Sequence, residues 1–474
     1  MESDDTMAQR SEKSGVISEA AVAGKLVELE VTDLAFDGKA VAHLDGKVVF
    51  LRGGLPGERV EAEITRSKPR YDEGRVLRVI TPSDHRIPAV CSHFGHCGGC
   101  TWQDLDYQQQ LEYKKKQVSD CLERIGGLKD IRVHNVVGSV ELYNYRNKME
   151  FSFDTADDGG FTLGLHSRGR FDKIFDLEYC HLQSDLCNRI VDWMREFVKQ
   201  HRIPVYDVKH HTGYMRFLVL RQAKRTAQLM VNLVTNYGEF PCRELLVQGM
   251  IGAFPDVTTI VHNQNGQKSN IAVGEIESVL YGAGYIEERM FDCTFRIRAN
   301  SFFQTNSIQT ESLYRAAFDM LYPDKKDRVL DLYCGTGSIG ILISRYVEEA
   351  IGVEVVPDAV TAAQENAAVN RARNITFHLS TVRDFLKRRS SSDPSFDIVI
   401  VDPPRVGLHP KALARVIALR PKKLLYISCN PSTFARDAGE LTANGYHLPQ
   451  VKPVDMFPHT THIELVGVFH PATQ

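Results

Sequence analysis

Residues 328–354 limit the fold most tightly. An apolar run, Val329-Leu330-Asp331-Leu332-Tyr333, ends in Cys334-Gly335-Thr336-Gly337-Ser338-Ile339-Gly340 and enters a helix-like stretch. The next apolar run, Ala350-Ile351-Gly352-Val353, stops at Glu354, nineteen residues after Gly335. Glycines at a strand exit let backbone approach a ligand closely, and a carboxylate at that distance can bond ribose hydroxyls. From Ser301 onward, strand-like runs at 375–378, 396–402 and 423–428 continue the alternation of strand and helix. That pattern specifies a doubly wound, mostly parallel α/β sheet of Rossmann-like form, with ligands at the carboxyl ends of its strands. An adenosine-containing cofactor is expected there. The glycine loop alone does not separate NAD from S-adenosylmethionine.

Asp402-Pro403-Pro404-Arg405, at a later strand exit, breaks the tie. Two prolines hold the backbone extended, so Asp402 and the nearby carbonyls become rigid acceptors. Dehydrogenases have no need of this element, whereas methyltransferases that act on bases commonly have one like it. At the next strand exit, Ser428-Cys429-Asn430-Pro431 places Asn430 as N-cap and Pro431 as the first helical residue. The helix N-terminus is expected to lower the Cys429 pKa and make the thiol a nucleophile. Outside that context a lone cysteine is more often a small buried hydrophobe.

A thiolate suits one methylation in particular. Carbon 5 of a pyrimidine is a poor nucleophile until sulfur adds at carbon 6 and turns the ring into an enolate. A base must then remove the C5 proton so that the sulfur can leave. Glu464, in Thr461-His462-Ile463-Glu464-Leu465-Val466, is a carboxylate in an apolar run, and burial there would raise its pKa. An outward-facing strand residue is the plainer reading, and His459 and His462 are rival bases.

The remainder of the 474-residue chain supplies further pieces. Residues 1–23 are acidic and read as a disordered tail. Residues 24–82 alternate short apolar strands with turns, which predicts a small β-barrel; Arg66, Lys68, Arg70, Arg75 and Arg78 with Tyr71 form a candidate RNA-gripping stripe. Residues 83–300 read as a central α+β region, with one polar helix over 104–124, and residues 301–474 as the cofactor domain. The net charge of −3 means that nucleic acid must be held by local patches. No apolar run approaches the length of a membrane span and no signal peptide opens the chain, so a soluble, cytoplasmic protein without a membrane partner is expected. Cys91, Cys97 and Cys100, with Gly95, Gly98 and Gly99 between them, can converge on a metal. Their spacing suits structural zinc as well as a cluster.

These motifs, in this order from Lys25 to the end, resemble the RNA uracil-C5 methyltransferase family that carries an N-terminal TRAM barrel and an iron–sulfur cluster. The resemblance implies Cys429 as nucleophile and Glu464 as base. It implies S-adenosylmethionine contacts at Gln304 of Phe302-Phe303-Gln304-Thr305-Asn306, at Tyr333, Glu354 and Asp402, and at Ser338 and Thr381, where Asn or Asp is frequent in the family. It adds Cys180 to Cys91, Cys97 and Cys100 and makes the metal a [4Fe–4S] cluster that pins the cysteine knot to the central region. With zinc instead, His93, His96 and His181 become alternative ligands. Cys121, Cys187, Cys242, Cys293 and Cys334 are left as structural thiols.

The implied reaction is 5-methyluridine formation in structured RNA, with 23S-type large-subunit rRNA as the favoured target and the tRNA T-loop as the alternative, by a monomeric enzyme. The target base must be flipped or presented from a loop. Phe302 and Phe303 could stack on it, and Arg146 and Lys148 could hold phosphates. Two other classes stand beside this reading: a non-catalytic RNA-binding factor and a nicotinamide oxidoreductase.

Overall fold

The computed structural model describes residues 24–156, 160–390 and 392–472, so the tail expected over residues 1–23 lies outside the described residues. The chain separates into two compact units, Met1–Arg86 and Ile87–Gln474.

In the first unit β1 (Leu26–Leu34), β2 (Ala40–Leu44), β3 (Lys47–Arg52), β4 (Arg59–Ser67) and β5 (Tyr71–Thr81) close into a barrel in the order β1-β2-β3-β5-β4. The alternation seen in the sequence is the reason. Leu29, Val31, Val49, Leu51, Val60, Ala62 and Ile64 all turn inward and are buried. Three register shifts between β4 and β5 supply the bending that closure requires. The expected basic stripe is partly cancelled. Arg75 pairs with Glu63 at 2.7 Å and Arg78 with Glu61 at 3.4 Å across β4 and β5, while Arg66 and Arg70 stand exposed and Lys68 bonds Tyr71.

Glu58, fully buried, anchors the end of the barrel. Its carboxylate accepts from Arg86 Nε at 2.5 Å and from the amides of Leu55 at 2.8 Å and Ser83 at 3.3 Å. Burial alone would raise its pKa, but these donors outweigh burial and hold it below 4.5. Glu58→Ala takes the carboxylate away from Arg86 and from both amides, and is expected to cost about 2–4 kcal/mol. A depressed carboxyl stabilises above its unfolded pKa and ceases to as pH falls through the folded value. Urea unfolding read by hydrogen exchange on β4 should therefore separate wild type from variant at pH 7, with the gap closing in acid.

The second unit begins with the cysteine-bearing loop and α1 (Tyr107–Arg124). The helix starts three residues later than the sequence suggests, because Asp106 caps it by accepting from the amides of Gln108 and Gln109. After β6 (Arg132–Val133) come β7 (Lys148–Thr155), β8 (Phe161–Ser167), β9 (Arg170–Asp176), α2 (Asp185–Gln200), β10 (Met215–Gln222), β11 (Leu229–Thr235), α3 (Arg243–Ala253), β12 (Val257–Gln264) and β13 (Ile276–Tyr281). Strands β7 to β13 form one sheet in the order β13-β12-β11-β10-β7-β8-β9. Helices α2 and α3 cover it through Ile190, Val191, Met194, Leu246 and Met250. A hairpin, β14 (Tyr285–Met290) and β15 (Cys293–Arg298), leads out of this region.

The α/β part follows: α4 (Ser307–Leu321), β16 (Arg328–Leu332), α5 (Ser338–Ser344), β17 (Glu349–Glu354), α6 (Pro357–Val369), β18 (Ile375–Leu379), α7 (Val382–Arg388), β19 (Ile398–Val401), α8 (Pro410–Ala418), β20 (Lys423–Ser428), α9 (Pro431–Ala443), β21 (Tyr446–His447), β22 (Gln450–Val454) and β23 (Glu464–Pro471). The sheet order is β18-β17-β16-β19-β20-β23-β22-β6, with β21 also on β23. Strands β16 to β20 are parallel and nearly all apolar, as a sheet covered on both faces must be, while β23 runs antiparallel between β20 and β22. One part of the sequence reading shifts here. Residues 107–133, assigned to the central region, belong to the α/β part, because β6 joins β22 at the sheet edge and Val118, Cys121 and Leu122 of α1 pack in the core with Phe434, Ala435 and Ala438 of α9. Among the described residues no helix is long and apolar enough to cross a membrane.

Candidate active site

The carboxyl edge of the sheet places the residues singled out in the sequence along one cavity of about 1150 Å³. Tyr333 follows β16, Glu354 ends β17, Asp402 follows β19 and Cys429 follows β20. Glu464 is the first residue of β23, and the antiparallel direction of that strand brings its start to the same edge. The pairing Ser428↔Leu465 then sets Cys429, just past the end of β20, beside Glu464 at the start of β23. Gln304, Tyr333, Ser338, Glu354, Asp402, Cys429 and Glu464 all line the cavity. Thr381 lies apart, in an adjoining cavity of about 380 Å³ that shares Tyr333 and Glu354. Its hydroxyl already caps α7 by accepting from the Asp384 amide.

Local chemistry holds these groups. Gly335 has φ +53°, and a Cβ there would meet nothing within 4 Å: the backbone faces open cavity, as a cofactor cradle needs. Its amide donates to Glu354 Oε2 at 3.1 Å. Tyr333 adopts φ +65°, a conformation that costs a non-glycine residue energy and recurs at functional sites. Asn430 caps α9 as expected, its Oδ1 accepting from the Ser432 amide at 3.1 Å. Its Nδ2 donates to Arg405 O at 2.9 Å, which ties the nucleophile turn to the Asp402-Pro403-Pro404-Arg405 loop. Gln304 is held through its backbone, whose carbonyl accepts from Asn147 Nδ2 at 2.9 Å.

The electrostatics correct one expectation. The helix N-terminus does not leave Cys429 with a lowered pKa: burial, then the charges of Glu464 and Asp402, push the thiol up to about 12. Desolvation is the largest cause, and the two carboxylates add to it. Burial and the Asp402 charge also raise Glu464 well above the usual carboxylate range, despite Arg405. Burial raises Asp402 to about 7, and burial with the Asp402 charge raises Asp331, inside β16, to about 8. Crowded, desolvated carboxyls with little positive charge among them suit a cationic ligand, which the sulfonium of S-adenosylmethionine is.

Two rival readings are narrowed. His459 is buried, lies off the cavity wall and stacks on Tyr143 at 4.6 Å, so it faces away from the substrate space. His462 lines the cavity beside Arg405 at 3.2 Å, and burial then the Arg405 charge lower it to about 4. Both Phe302 and Phe303 line the cavity, but Phe303 is buried and packed on Phe295, whereas Phe302 is 68 % exposed. Arg146 also lines it; Lys148 does not and pairs with Glu150. Tyr314, Thr460, Gly99 and Arg405 belong to the wall and were not assigned from sequence. Arg405 was visible beside Asp402; the others are brought in by tertiary contact.

Cys91, Cys97, Cys100 and Cys180 are drawn into one neighbourhood. Burial pushes Cys180 up to about 12 and Cys100 to about 11, and in each case the other three thiols or two of them add to the rise. Gly99 N donates to Cys97 Sγ at 3.3 Å and Gln103 Nε2 to Cys100 Sγ at 3.2 Å, an arrangement that favours thiolate. Among the described residues no three His, Cys, Asp or Glu side chains stand close enough to hold a single metal ion. His93 and His96, alternative ligands for zinc, are engaged: His93 Nε2 accepts from the Glu178 amide at 3.1 Å and His96 Nε2 meets Ser167 Oγ at 3.3 Å. His181 sits between the rings of Tyr143 and Tyr179.

At pH far below its pKa a thiol gains thiolate about tenfold for each pH unit. Carboxymethylation of Cys429, followed on its peptide by mass spectrometry, should accelerate in that proportion between pH 7 and 9. Asp402→Asn removes a negative charge, lowers the thiol pKa and should speed the reaction at pH 8. A rate independent of pH would show that the helix end prevails.

Comparison with known proteins identifies the family. Residues 106–472 match the tRNA (uracil-5-)-methyltransferase family and residues 22–77 the TRAM domain. An RNA methyltransferase of Chlorobaculum tepidum is 40 % identical over 95 % of this chain and 97 % of its own length. One of Caldanaerobacter subterraneus is 38 % identical over 94 % and 98 %. Among solved structures, the tRNA (uracil-54, C5)-methyltransferase of Pyrococcus abyssi in complex with S-adenosyl-L-homocysteine superposes with a TM-score of 0.75 at 30 % identity, over 94 % of this chain and 100 % of that one. Hydride transfer, which the glycine loop alone left open, is thereby set aside. The chain belongs to the tRNA (uracil-5-)-methyltransferase family of RNA-modifying enzymes and carries an N-terminal TRAM domain.

Proposed function

We propose that this enzyme methylates carbon 5 of a uridine in structured RNA, with Cys429 as nucleophile and Glu464 as base. The observation that carries the reading is the meeting of these two side chains in one cavity beside the glycine loop. At about 1150 Å³ the cavity exceeds the usual span for a single small ligand and has room for a cofactor and a flipped nucleoside together.

S-Adenosylmethionine, when bound, supplies an electrophilic methyl group and a positive charge among the carboxyls. Gln304, Tyr333, Ser338, Glu354 and Asp402 would hold it, with Thr381 in the adjoining cavity. In its thiolate form Cys429 would add to C6, and the electron pair displaced from the C5–C6 double bond puts negative charge on C5 and the conjugated carbonyl. Once C5 carries the methyl group, Glu464 takes the C5 proton, the C5–C6 double bond re-forms and Cys429 leaves as thiolate. The raised pKa of Glu464 makes it a stronger base once ionised. Phe302, exposed on the wall, is placed to stack on the extruded base, and Arg146 to meet phosphate.

Cys91, Cys97, Cys100 and Cys180 would hold a [4Fe–4S] cluster. An all-thiol set with amide donors to sulfur fits one, and a cluster spreads its thiolates farther apart than a single ion does. The proposed chemistry needs no electron from it. Gly99, between two of these cysteines, lies on the cavity wall, so the knot would shape the RNA site. We assign residues 24–82 to the barrel, 83–300 to the central region except for α1 and β6, which pack with the α/β sheet, and 301–474 to the cofactor domain, and we propose a monomer.

Large-subunit rRNA is the favoured target, on the combination of a TRAM barrel with the cysteine knot. A tRNA target is the second reading, supported by the likeness to the Pyrococcus abyssi enzyme named for uracil 54 of tRNA. Nucleoside analysis of rRNA and tRNA from cells lacking the gene decides between them. Loss of 5-methyluridine from rRNA is expected; loss from tRNA alone transfers the assignment. RNA carrying 5-fluorouridine, whose C5 fluorine cannot be removed as a proton, should become covalently attached to the wild-type enzyme in the presence of S-adenosylmethionine and not to Cys429→Ala. Absence of that adduct from active wild type would refute the thiol mechanism.

A further inference from the structure

Residues 455–463 lead from β22 to Glu464 without helix or strand of their own, yet the segment is buried: Asp455, Met456 and Ile463 are 0 % exposed and His459 2 %. Buried irregular backbone must find partners for its carbonyls. Four successive carbonyls here are taken by groups from separate places in the chain. Met456 O accepts from Asn306 Nδ2 at 3.1 Å, Phe457 O from Lys114 Nζ at 3.2 Å and Pro458 O from Tyr145 Oη at 3.2 Å. His459 O accepts from the amides of Thr101 at 2.8 Å and Trp102 at 3.0 Å, where the cysteine knot ends.

Two side chains on one face of α1 tighten this grip. Lys114, 0 % exposed, meets Asp455 Oδ1 at 2.7 Å, while Tyr107 donates to Asp455 Oδ2 at 2.9 Å. Gln110, also 0 % exposed, accepts the His459 amide on Oε1 at 2.9 Å and donates through Nε2 to Trp102 O and Leu105 O, both at 2.8 Å. Neither residue lines the cavity. A buried lysine and a buried glutamine are costly unless every polar atom is used, and here they are used on the strap and its surroundings.

We infer that Lys114 and Gln110 are positioning residues for Glu464: from α1 they clamp the strap that delivers the carboxylate to the C5 hydrogen of the RNA adduct. The inference rests on the function proposed above. A base must come within about 3 Å of its proton, and a displacement of about 1 Å can cost on the order of 100-fold in rate. Sulfur addition and methyl transfer precede the base's step. A loosened strap therefore slows the elimination alone, in which Glu464 takes the proton, the C–H electron pair becomes the ring double bond and the C6–S bond breaks toward Cys429. The methylated RNA then stays attached to the protein.

Gln110→Met and Lys114→Met, made in the full chain, test this with rRNA and tRNA from cells lacking the gene and methyl-labelled S-adenosylmethionine. Expected are unchanged cofactor affinity by calorimetry, a turnover about 10- to 100-fold lower, and a denaturant-resistant protein–RNA species that carries the labelled methyl group and exceeds the wild-type amount. A merely structural role would lower turnover and adduct together. Lys114→Met leaves Asp455 buried without its cation; if it no longer binds cofactor, Gln110→Met, which strands no charge, decides. Loss of cofactor binding in Gln110→Met, lowered turnover without adduct, or turnover equal to wild type each overturns the inference. A wild-type control that forms no 5-methyluridine sinks the proposed function instead, so the two failures are distinct.

Discussion

Antiparallel pairing of β23 with β20 is the constraint on which the site depends. In a purely parallel sheet every strand offers its carboxyl end to the ligand, and a residue that begins a strand lies at the far edge. Reversing one strand brings its first residue to the functional edge, and the register Ser428↔Leu465 makes that residue Glu464 the neighbour of Cys429. Strands in a sheet lie about 4.8 Å apart, so the two side chains open onto one shared space. Parallel strands β16 to β20 then place the glycine loop, Asp402 and Cys429 in succession along the same edge.

The same crowding sets the electrostatics. Desolvation and mutual repulsion keep Cys429, Glu464, Asp402 and Asp331 from ionising freely. A positive charge entering such a site would favour ionisation of all four groups. The helix N-terminus beneath Cys429 orients the turn through Asn430; it does not by itself activate the sulfur. Position and activation, read as one property from the motif, are separate in the folded protein.

Much was legible in the chain because it is written in short stretches. The barrel follows from alternation within strands of five to eleven residues, and the Rossmann-like sheet from apolar runs that end in glycines, prolines and acids. Asp106, Asn430 and Pro431 announce helix starts by capping chemistry that needs only neighbouring residues. What escaped depends on distant partners. Arg75 and Arg78 looked available for RNA until β4 supplied Glu63 and Glu61. His459 looked as good a base as Glu464 until the fold turned it toward Gln110 and Tyr143. Phe302 and Phe303 are adjacent and chemically alike, and only packing on Phe295 separates the core ring from the free one.

The sequence by itself determined the element types, the glycine loop, the cap that follows Cys429, and the family resemblance, since each is encoded within a few residues of contiguous chain. Tertiary structure alone decided which charges survive unpaired, that the thiol is held protonated, and that α1 reaches across more than three hundred residues to seize the strap before Glu464. The physical reason is that solvation and Coulomb interaction depend on distance in space and on burial, neither of which the order of residues along a chain contains.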